Sequence, residues 1–213
     1  MLLCFFIPYL CLAENAENAT DKWLTHLRVA CRKVFSVKAD IVQEVFAGRG
    51  TEQIFRAQGV LEMRRKGRLR ITYTAPTNGI LVTNQEESWY YNKSNSVAFH
   101  LPDGVFLGGD IEPFFFGKAE TEQFEVVHLG GSTDPANENE AAVLSLVPVA
   151  PDPYIASLLI TVHPQVPCIR RVTVVTHRGN IIRITLKNVQ YNVGIGARRF
   201  DFIPPKRAII IHQ

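Results

Sequence analysis

Residues 58–92, QGVLEMRRKGRLRITYTAPTNGILVTNQEESWYYN, decide the fold that the sequence predicts. Apolar and polar residues alternate in this stretch, as they do along strands whose two faces meet different surroundings. Two short turns, Lys66-Gly67 and residues 76–79, separate the alternating runs. The stretch is therefore predicted to form two successive β-hairpins, the second of which turns at residues 84–87.

The alternation also predicts which side chains share one inner face of the sheet. The predicted inner set is large and apolar or aromatic: Leu61, Met63, Leu69, Ile71, Tyr73, Leu81, Trp89 and Tyr91. Such a composition fits either an ordinary core or the lining of a ligand cavity, and an ordinary core is the commoner outcome. Both interpretations stay open at this point.

Arg65 falls on the same side as Leu61 and Met63. An arginine on an apolar face needs a partner or water, because a buried unpaired charge is costly. At the end of a strand its side chain can extend to solvent, or it can bond a backbone carbonyl or a lid segment at the mouth of a pocket. Together with Arg64, Lys66, Arg68 and Arg70 it forms a basic cluster. That cluster is either a solvated edge or a surface that attracts acidic proteins or anionic lipid headgroups.

The rest of the chain predicts one helix followed by more strands. Apolar residues recur every three or four positions over residues 21–35, and Thr20 or Asp21 can cap such a helix. Residues 130–140, GGSTDPANENE, are predicted to be a polar surface loop. Further strands are predicted at residues 38–46, 97–101, 124–129, 142–149, 158–162, 169–176 and 181–191. One helix and ten to eleven strands with short connections indicate an antiparallel β architecture that curls toward a barrel.

The first residues predict export. Residues 1–12, MLLCFFIPYLCL, are apolar but too short to span a bilayer as a helix, which takes roughly 20 residues. Their length fits a signal peptide over residues 1–13, although no Lys or Arg precedes the run, and a buried N-terminal segment is the alternative. Residues 14–213 are then a single domain. Cys31 and Cys168 remain after cleavage, either as a disulfide or as two free buried thiols.

Composition and motifs argue against several function classes. The balance of 23 basic and 20 acidic residues, a net charge of +3, is too weak to indicate nucleic acid as a partner. Neither G-x-S-x-G nor H-E-x-x-H occurs, so catalysis is not predicted. The sequence shows no metal-ligand spacing, and no metal or cofactor is expected.

Several pieces occur in the order of a known family. They are Gly59, Arg65, residues 71–76 ending at Pro76, Ile80-Leu81-Val82 and Trp89-Tyr90-Tyr91-Asn92. This ordered set resembles the LolA family of lipoprotein carriers. Residues 36–43 resemble the first strand of that family, and Arg199-Phe200-Asp201-Phe202 with Pro204-Pro205 is similar to its closing strand. The chain departs from the pattern at Lys66, where the family usually has Pro, and at Asn84-Gln85, where it often has Asp-Gly.

The resemblance implies a monomeric periplasmic carrier. Such a protein takes acylated lipoproteins from an inner-membrane ABC exporter and delivers them to an outer-membrane receptor. The implied fold is an unclosed antiparallel β-barrel with a helical lid over an apolar cavity. Arg65 is expected to contact the lid, and Phe114, in a region that resembles the lid, joins the inner set as an acyl-binding residue. A lipid-binding or envelope-stress sensor of the same fold, which transports no lipoprotein, is the alternative.

Overall fold

The computed structural model describes residues 8–84, 86–101, 112, 114–117, 124–132, 140–165 and 168–212 (side chains of 8–18, 128 and 129 excepted). Within these residues one α-helix, α1, precedes twelve strands. The strands are β1 Ser36–Ala47, β2 Glu52–Arg64, β3 Arg68–Ala75, β4 Gly79–Asn84, β5 Ser88–Asn92, β6 Val97–Leu101, β7 Phe124–Gly131, β8 Ala142–Pro148, β9 Ile155–Val162, β10 Ile169–Thr176, β11 Ile181–Tyr191 and β12 Ile209–His212.

The helix α1, Pro8–Cys31, is longer than the sequence predicted. Thr20 and Asp21, the predicted caps, lie inside it, because the alanine-rich residues 13–19 favour helix and extend it toward the N-terminus. Pro8 is tolerated in the first turn, where its missing N–H has no partner to lose. Residues 1–7 of the predicted signal peptide lie outside the described residues and residues 8–13 belong to α1, so its cleavage stays a prediction. Within the described part of the chain, no helix has the length and apolarity needed to span a bilayer.

All twelve strands lie in one sheet, in the order β12-β6-β5-β4-β3-β2-β1-β11-β10-β9-β8-β7. Neighbours are antiparallel except β12, which runs parallel to β6. Because β12 and β7 stand at opposite ends of this order, the sheet does not close. The predicted fold class is therefore confirmed. The additional strand is β12, which a hairpin pattern cannot predict because a parallel neighbour arrives through a long connection.

One face of the sheet, here called the helix face, packs against α1. Trp23, Leu24, Leu27 and Cys31 of the helix are buried there in the main apolar core. The helix is fixed further by Trp23, whose Nε1 donates to the carbonyl of Ser132 at 2.8 Å. Gly130 and Gly131 pair with β8 as the end of β7, which shortens the predicted loop 130–140. Residues 133–139 of that loop lie outside the described residues.

The opposite face, here called the outer face, carries a second apolar cluster over β4, β5 and β6. Its buried members are Ile80, Val82, Trp89, Ala98 and Phe200, with Ile195, Phe202, Ala208 and Tyr91 packed around them. The prediction that residues 199–202 form a closing strand is wrong. Ala197–Phe200 form a 3₁₀ turn, and residues 201–205 extend across the outer face outside any strand. The adjacent Pro204-Pro205 has no N–H to give to a strand ladder.

An ion pair anchors this C-terminal segment to the sheet. Arg199 Nε lies 2.8 Å from Glu62 Oε2, and Glu62 is buried. Arg70 also bonds Arg199, because its Nη1 donates to the Arg199 carbonyl at 3.1 Å. Arg70, one member of the basic cluster, thus contributes to holding the C-terminal segment in place.

Candidate functional site

A cavity of about 460 Å³ opens on the helix face of the sheet. This volume falls within the roughly 300–1,000 Å³ that is usual for small-molecule sites. All of its lining residues belong to the sheet or to the β3–β4 turn: Gln43, Val45, Phe55, Tyr73, Thr77, Leu81, Tyr90, Phe99, Leu101 and Ile182. Most of this surface is aliphatic or aromatic, so the cavity suits an apolar ligand.

Three aromatic rings form one wall of the cavity. Tyr73 and Tyr90 meet edge to face with centroids 6.5 Å apart, and Tyr90 stacks on Phe99 at 6.2 Å. Tyr90 has room for its ring because Gly79 lies beside it. A Cβ on Gly79 would stand only 3.2 Å from the Tyr90 hydroxyl.

One polar pair is buried in the lining. The Tyr73 hydroxyl on β3 donates to Gln43 Oε1 on β1 at 2.7 Å, across the intervening strand β2. On β2 the residue paired with Tyr73 is Gly59 and the residue paired with Gln43 is Ala57, so no large side chain separates the two. Burial raises the pKa of Tyr73, and the neighbouring Tyr90 raises it further, so the hydroxyl stays protonated.

The predicted inner set divides into three groups. Tyr73 and Leu81 line the cavity. A second group is buried in the main core on the helix face, outside the cavity lining: Leu61, Met63, Leu69, Ile71 and Phe114. An acyl-binding role for these seven residues stays a prediction.

The third group, Trp89 and Tyr91, was assigned to the wrong face. Thr83 pairs with Ser88 across a four-residue loop, so Leu81 faces Tyr90, and Val82 faces Trp89. In a hairpin whose loop has an even number of residues, paired positions change from odd to even numbers. Trp89 and Tyr91 therefore lie on the outer face, where both rings pack against Phe202.

Sequence reasoning missed most of the remaining lining. The inward position of Tyr90 could have been predicted, because the loop length of the second hairpin determines which aromatic residue pairs with Leu81. Val45 and Phe55 face each other on β1 and β2 and continue the inner alternation on the N-terminal side of residue 58. Phe99 pairs with Tyr90.

Arg65 links the β2–β3 turn to the end of α1. Its Nε donates to the Val34 carbonyl and its Nη2 to the Arg32 carbonyl, both at 2.7 Å. The guanidinium also lies 5.6 Å from the ring centroid of Phe116 and 3.5 Å from the Phe116 carbonyl oxygen. Of the two predicted alternatives, extension to solvent or bonding of backbone carbonyls, the structure shows the second. An effect of Arg65 on lid opening stays a prediction.

The three phenylalanines 114–116 are all buried, and Phe114 and Phe115 lie in helical conformation. This segment ends at Gly117, whose φ of +76° favours glycine. A Cβ at Gly117 would come 2.8 Å from the Arg28 carbonyl oxygen, so glycine also permits close contact with the last turn of α1. Arg65, α1 and residues 114–117 thus meet at one end of the helix face.

Cys31 and Cys168 are free and buried. Their thiols share a hydrogen bond, which lowers the pKa of Cys31 and, together with burial, raises the pKa of Cys168. The alternative of two free buried thiols therefore describes this structure. Among the described residues, no group of three or more His, Cys, Asp or Glu side chains is placed to hold a metal ion.

The family model for the outer membrane lipoprotein carrier protein LolA matches residues 32–203. No curated protein sequence matches the chain. Among solved structures, the chain is similar to an uncharacterized conserved protein from Thermus thermophilus (9% identity, 92% of this chain and 98% of that one, TM-score 0.49). It is also similar to a LolA superfamily protein from Nitrosomonas europaea (10%, 85% and 97%, TM-score 0.47). A third similar structure is that of the Pseudomonas aeruginosa MucA/MucB complex (11%, 88% and 61%, TM-score 0.44).

Proposed function

Because this chain belongs to the LolA family of outer membrane lipoprotein carrier proteins, we propose that it carries lipoproteins by enclosing their acyl chains on the helix face of its sheet. The observation that supports this most is the apolar cavity walled by Tyr73, Tyr90 and Phe99. The proposed partners are acylated lipoproteins, an inner-membrane ABC exporter that releases them and an outer-membrane receptor that accepts them. The proposed compartment is the periplasm, and the proposed role is binding without catalysis.

The size of the cavity matches a single acyl chain. If a methylene group takes roughly the 30 Å³ that one molecule occupies in liquid water, a volume of about 460 Å³ holds about 15 methylene groups. Burying them contributes about 0.8 kcal/mol each, or about 12 kcal/mol, which corresponds to a nanomolar dissociation constant if nothing opposes binding. An unopposed carrier would thus release its cargo slowly.

Further acyl chains need space that α1 now fills. Trp23 and Leu27 occupy the helix face together with Phe114. In this proposal α1 and residues 114–117 lift from the sheet as cargo enters. The free energy spent on lifting them reduces the net affinity, so that a receptor with a preformed site can take the cargo.

A release assay tests the proposal. Spheroplasts that carry a labelled acylated lipoprotein, with the exporter of the same source organism, are incubated with the purified protein. We expect the lipoprotein to appear in the supernatant as a one-to-one complex. Val45→Trp places a large ring in the cavity lining and should abolish release. Val42→Trp makes the same change at a half-buried position on the opposite face of β1 and is the matched control.

Release that survives Val45→Trp would contradict the cavity as the acyl site. Absence of release by the folded wild type, combined with binding of a fluorescent fatty acid, would contradict lipoprotein transport. It would support the lipid-binding or sensor alternative. Absence of both activities would contradict acyl binding altogether.

A further inference from the structure

We propose that Gln43, held in place by Tyr73, is the hydrogen-bond donor that receives the carbonyl oxygen at the head of a bound acyl chain. This inference rests on the proposed function, because it assumes that the cavity takes acyl chains. It adds a polar recognition point to a site whose other contacts are mostly apolar. The ligand class it predicts is therefore an acyl ester or acid rather than any apolar molecule of similar size.

The Gln43 amide is almost fully removed from bulk solvent. The residue is 5% exposed and belongs to the lining of the cavity. Its neighbours in that lining include Val45, Leu81 and Ile182, none of which offers a hydrogen-bonding group. Thr77 and Tyr90 also line the cavity and carry hydroxyls, but among the described residues only Tyr73 is hydrogen-bonded to the Gln43 side chain.

The bond to Tyr73 leaves donors of the amide unused. A glutamine side chain has an oxygen that accepts and a nitrogen that donates two hydrogens. The oxygen accepts from the Tyr73 hydroxyl at 2.7 Å, and within the described residues the amide nitrogen has no hydrogen-bond partner. If the oxygen and nitrogen of the amide exchanged places, the nitrogen would donate to Tyr73 and leave a free hydroxyl hydrogen. In either orientation of the amide, one donor in the cavity lining therefore has no partner among the described residues.

A spare donor in an apolar cavity selects for an acceptor. A polar group that is buried without a partner costs free energy, so a purely alkyl ligand leaves the Gln43 nitrogen unsatisfied. A carbonyl oxygen satisfies it, and every ester-linked acyl chain carries such an oxygen at the junction of chain and glycerol. The position of Gln43 would thus fix how far each chain slides into the cavity.

The Gln43 side chain is also held in position by its hydrogen bond to Tyr73. Tyr73 keeps its proton, and its ring spans β2 over Gly59, the residue with which it pairs. A Cβ on Gly59 would lie 2.4 Å from the Thr72 carbonyl oxygen, so this position excludes any larger residue. Tyr73 is therefore a positioning residue, and Gln43 is the residue that contacts the ligand.

The test compares two probes that have the same number of heavy atoms. Methyl dodecanoate carries an ester carbonyl, and pentadecane carries none. Each probe displaces a neutral fluorescent naphthylamine from the purified full-length protein, and the ratio of the two dissociation constants is the readout. We expect Gln43→Leu to weaken binding of the ester by about 3- to 10-fold, as the loss of one hydrogen bond predicts, and to leave pentadecane binding unchanged or tighter.

Matched variants separate recognition from folding. Gln58→Leu makes the same substitution at an exposed position on β2 and should leave the ratio as in wild type. Gln43→Met is a second apolar variant, with an unbranched side chain, in case Gln43→Leu fails to fold. Tyr73→Phe should reduce the ester preference partly, because the amide remains but is no longer held.

A spectroscopic measurement checks the contact directly. Methyl dodecanoate labelled with ¹³C at the carbonyl should show its infrared carbonyl band at lower frequency in the wild type than in Gln43→Leu. An ester preference and a carbonyl band that are unchanged in both Gln43 variants would overturn this inference and leave the proposed function standing. Wild-type protein that binds neither probe would overturn the inference together with acyl binding.

Discussion

Replacing Arg65 by leucine should make the protein bind acyl chains more tightly and release them less readily. Arg65 donates two hydrogen bonds of 2.7 Å to the carbonyls of Arg32 and Val34, which connect α1 to β1. It also contacts Phe116. If opening requires α1 and residues 114–117 to leave the sheet, these bonds stabilise the closed form and oppose the entry of cargo.

The magnitude follows from the number of bonds. Arg65 is exposed, so each bond contributes about 1 kcal/mol, near the middle of the range for hydrogen bonds in proteins. Two bonds favour the closed form by about 2 kcal/mol, or a factor of about 30, and their loss should raise the apparent acyl affinity by up to about 30-fold. The same loss should lower the melting temperature by about 4–8 °C in a domain of this size.

The assay is titration of a fluorescent fatty acid into the wild type and Arg65→Leu, together with a thermal melt and transfer of a bound lipoprotein to receptor-containing membranes. Arg64→Leu is the matched control. Arg64 precedes Arg65 in the chain, and its side chain makes no hydrogen bond or ion pair within the described residues. Unchanged or weaker acyl binding in Arg65→Leu, with the lower melting temperature observed, would refute the idea that Arg65 stabilises the closed form.

Two further predictions concern the outer face and the cysteines. Trp89→Ala should destabilise the protein by about 3–5 kcal/mol, because its buried ring packs against His100 and Phe202; chemical denaturation measures this. Fatty-acid binding by the folded variant should stay as in wild type, and a loss of binding would place Trp89 at the cavity after all. Cys31 and Cys168 should resist alkylation by iodoacetamide in the native protein and react after unfolding, since both are fully buried; mass spectrometry counts the adducts, and rapid native labelling would contradict their burial.

The sheet could be predicted from the sequence because alternation is a local signal. Strands β5, β6, β10 and β11 have the predicted bounds, and the β2–β3 hairpin keeps its inner residues. The predictions that were wrong depended on the number of residues in a loop or on contacts between residues far apart in the chain. The face of Trp89 depended on the even length of a loop, and the position of residues 199–202 depended on the outer cluster that Phe200 completes.

The cavity could be predicted only in part, for a related reason. Tyr73 and Leu81 lie on strands whose inner face was correctly predicted, and both residues line the cavity. Gln43 gave no signal, because a glutamine in an alternating strand is not distinguishable from any other polar residue. Its contact with Tyr73 crosses a strand, and pairing over that distance depends on the small residues Ala57 and Gly59 between them.

The C-terminal segment on the outer face has a mechanical consequence. It supports β4, β5 and β6 from behind through Phe200, and its ion pair between Arg199 and Glu62 reaches β2. These strands therefore keep part of their apolar burial even when nothing covers their other side. If the helix face takes up and releases cargo as proposed, this support would let that face be emptied and refilled without collapse or aggregation of the sheet, because the stabilising contacts and the cargo site would lie on opposite sides of the same strands.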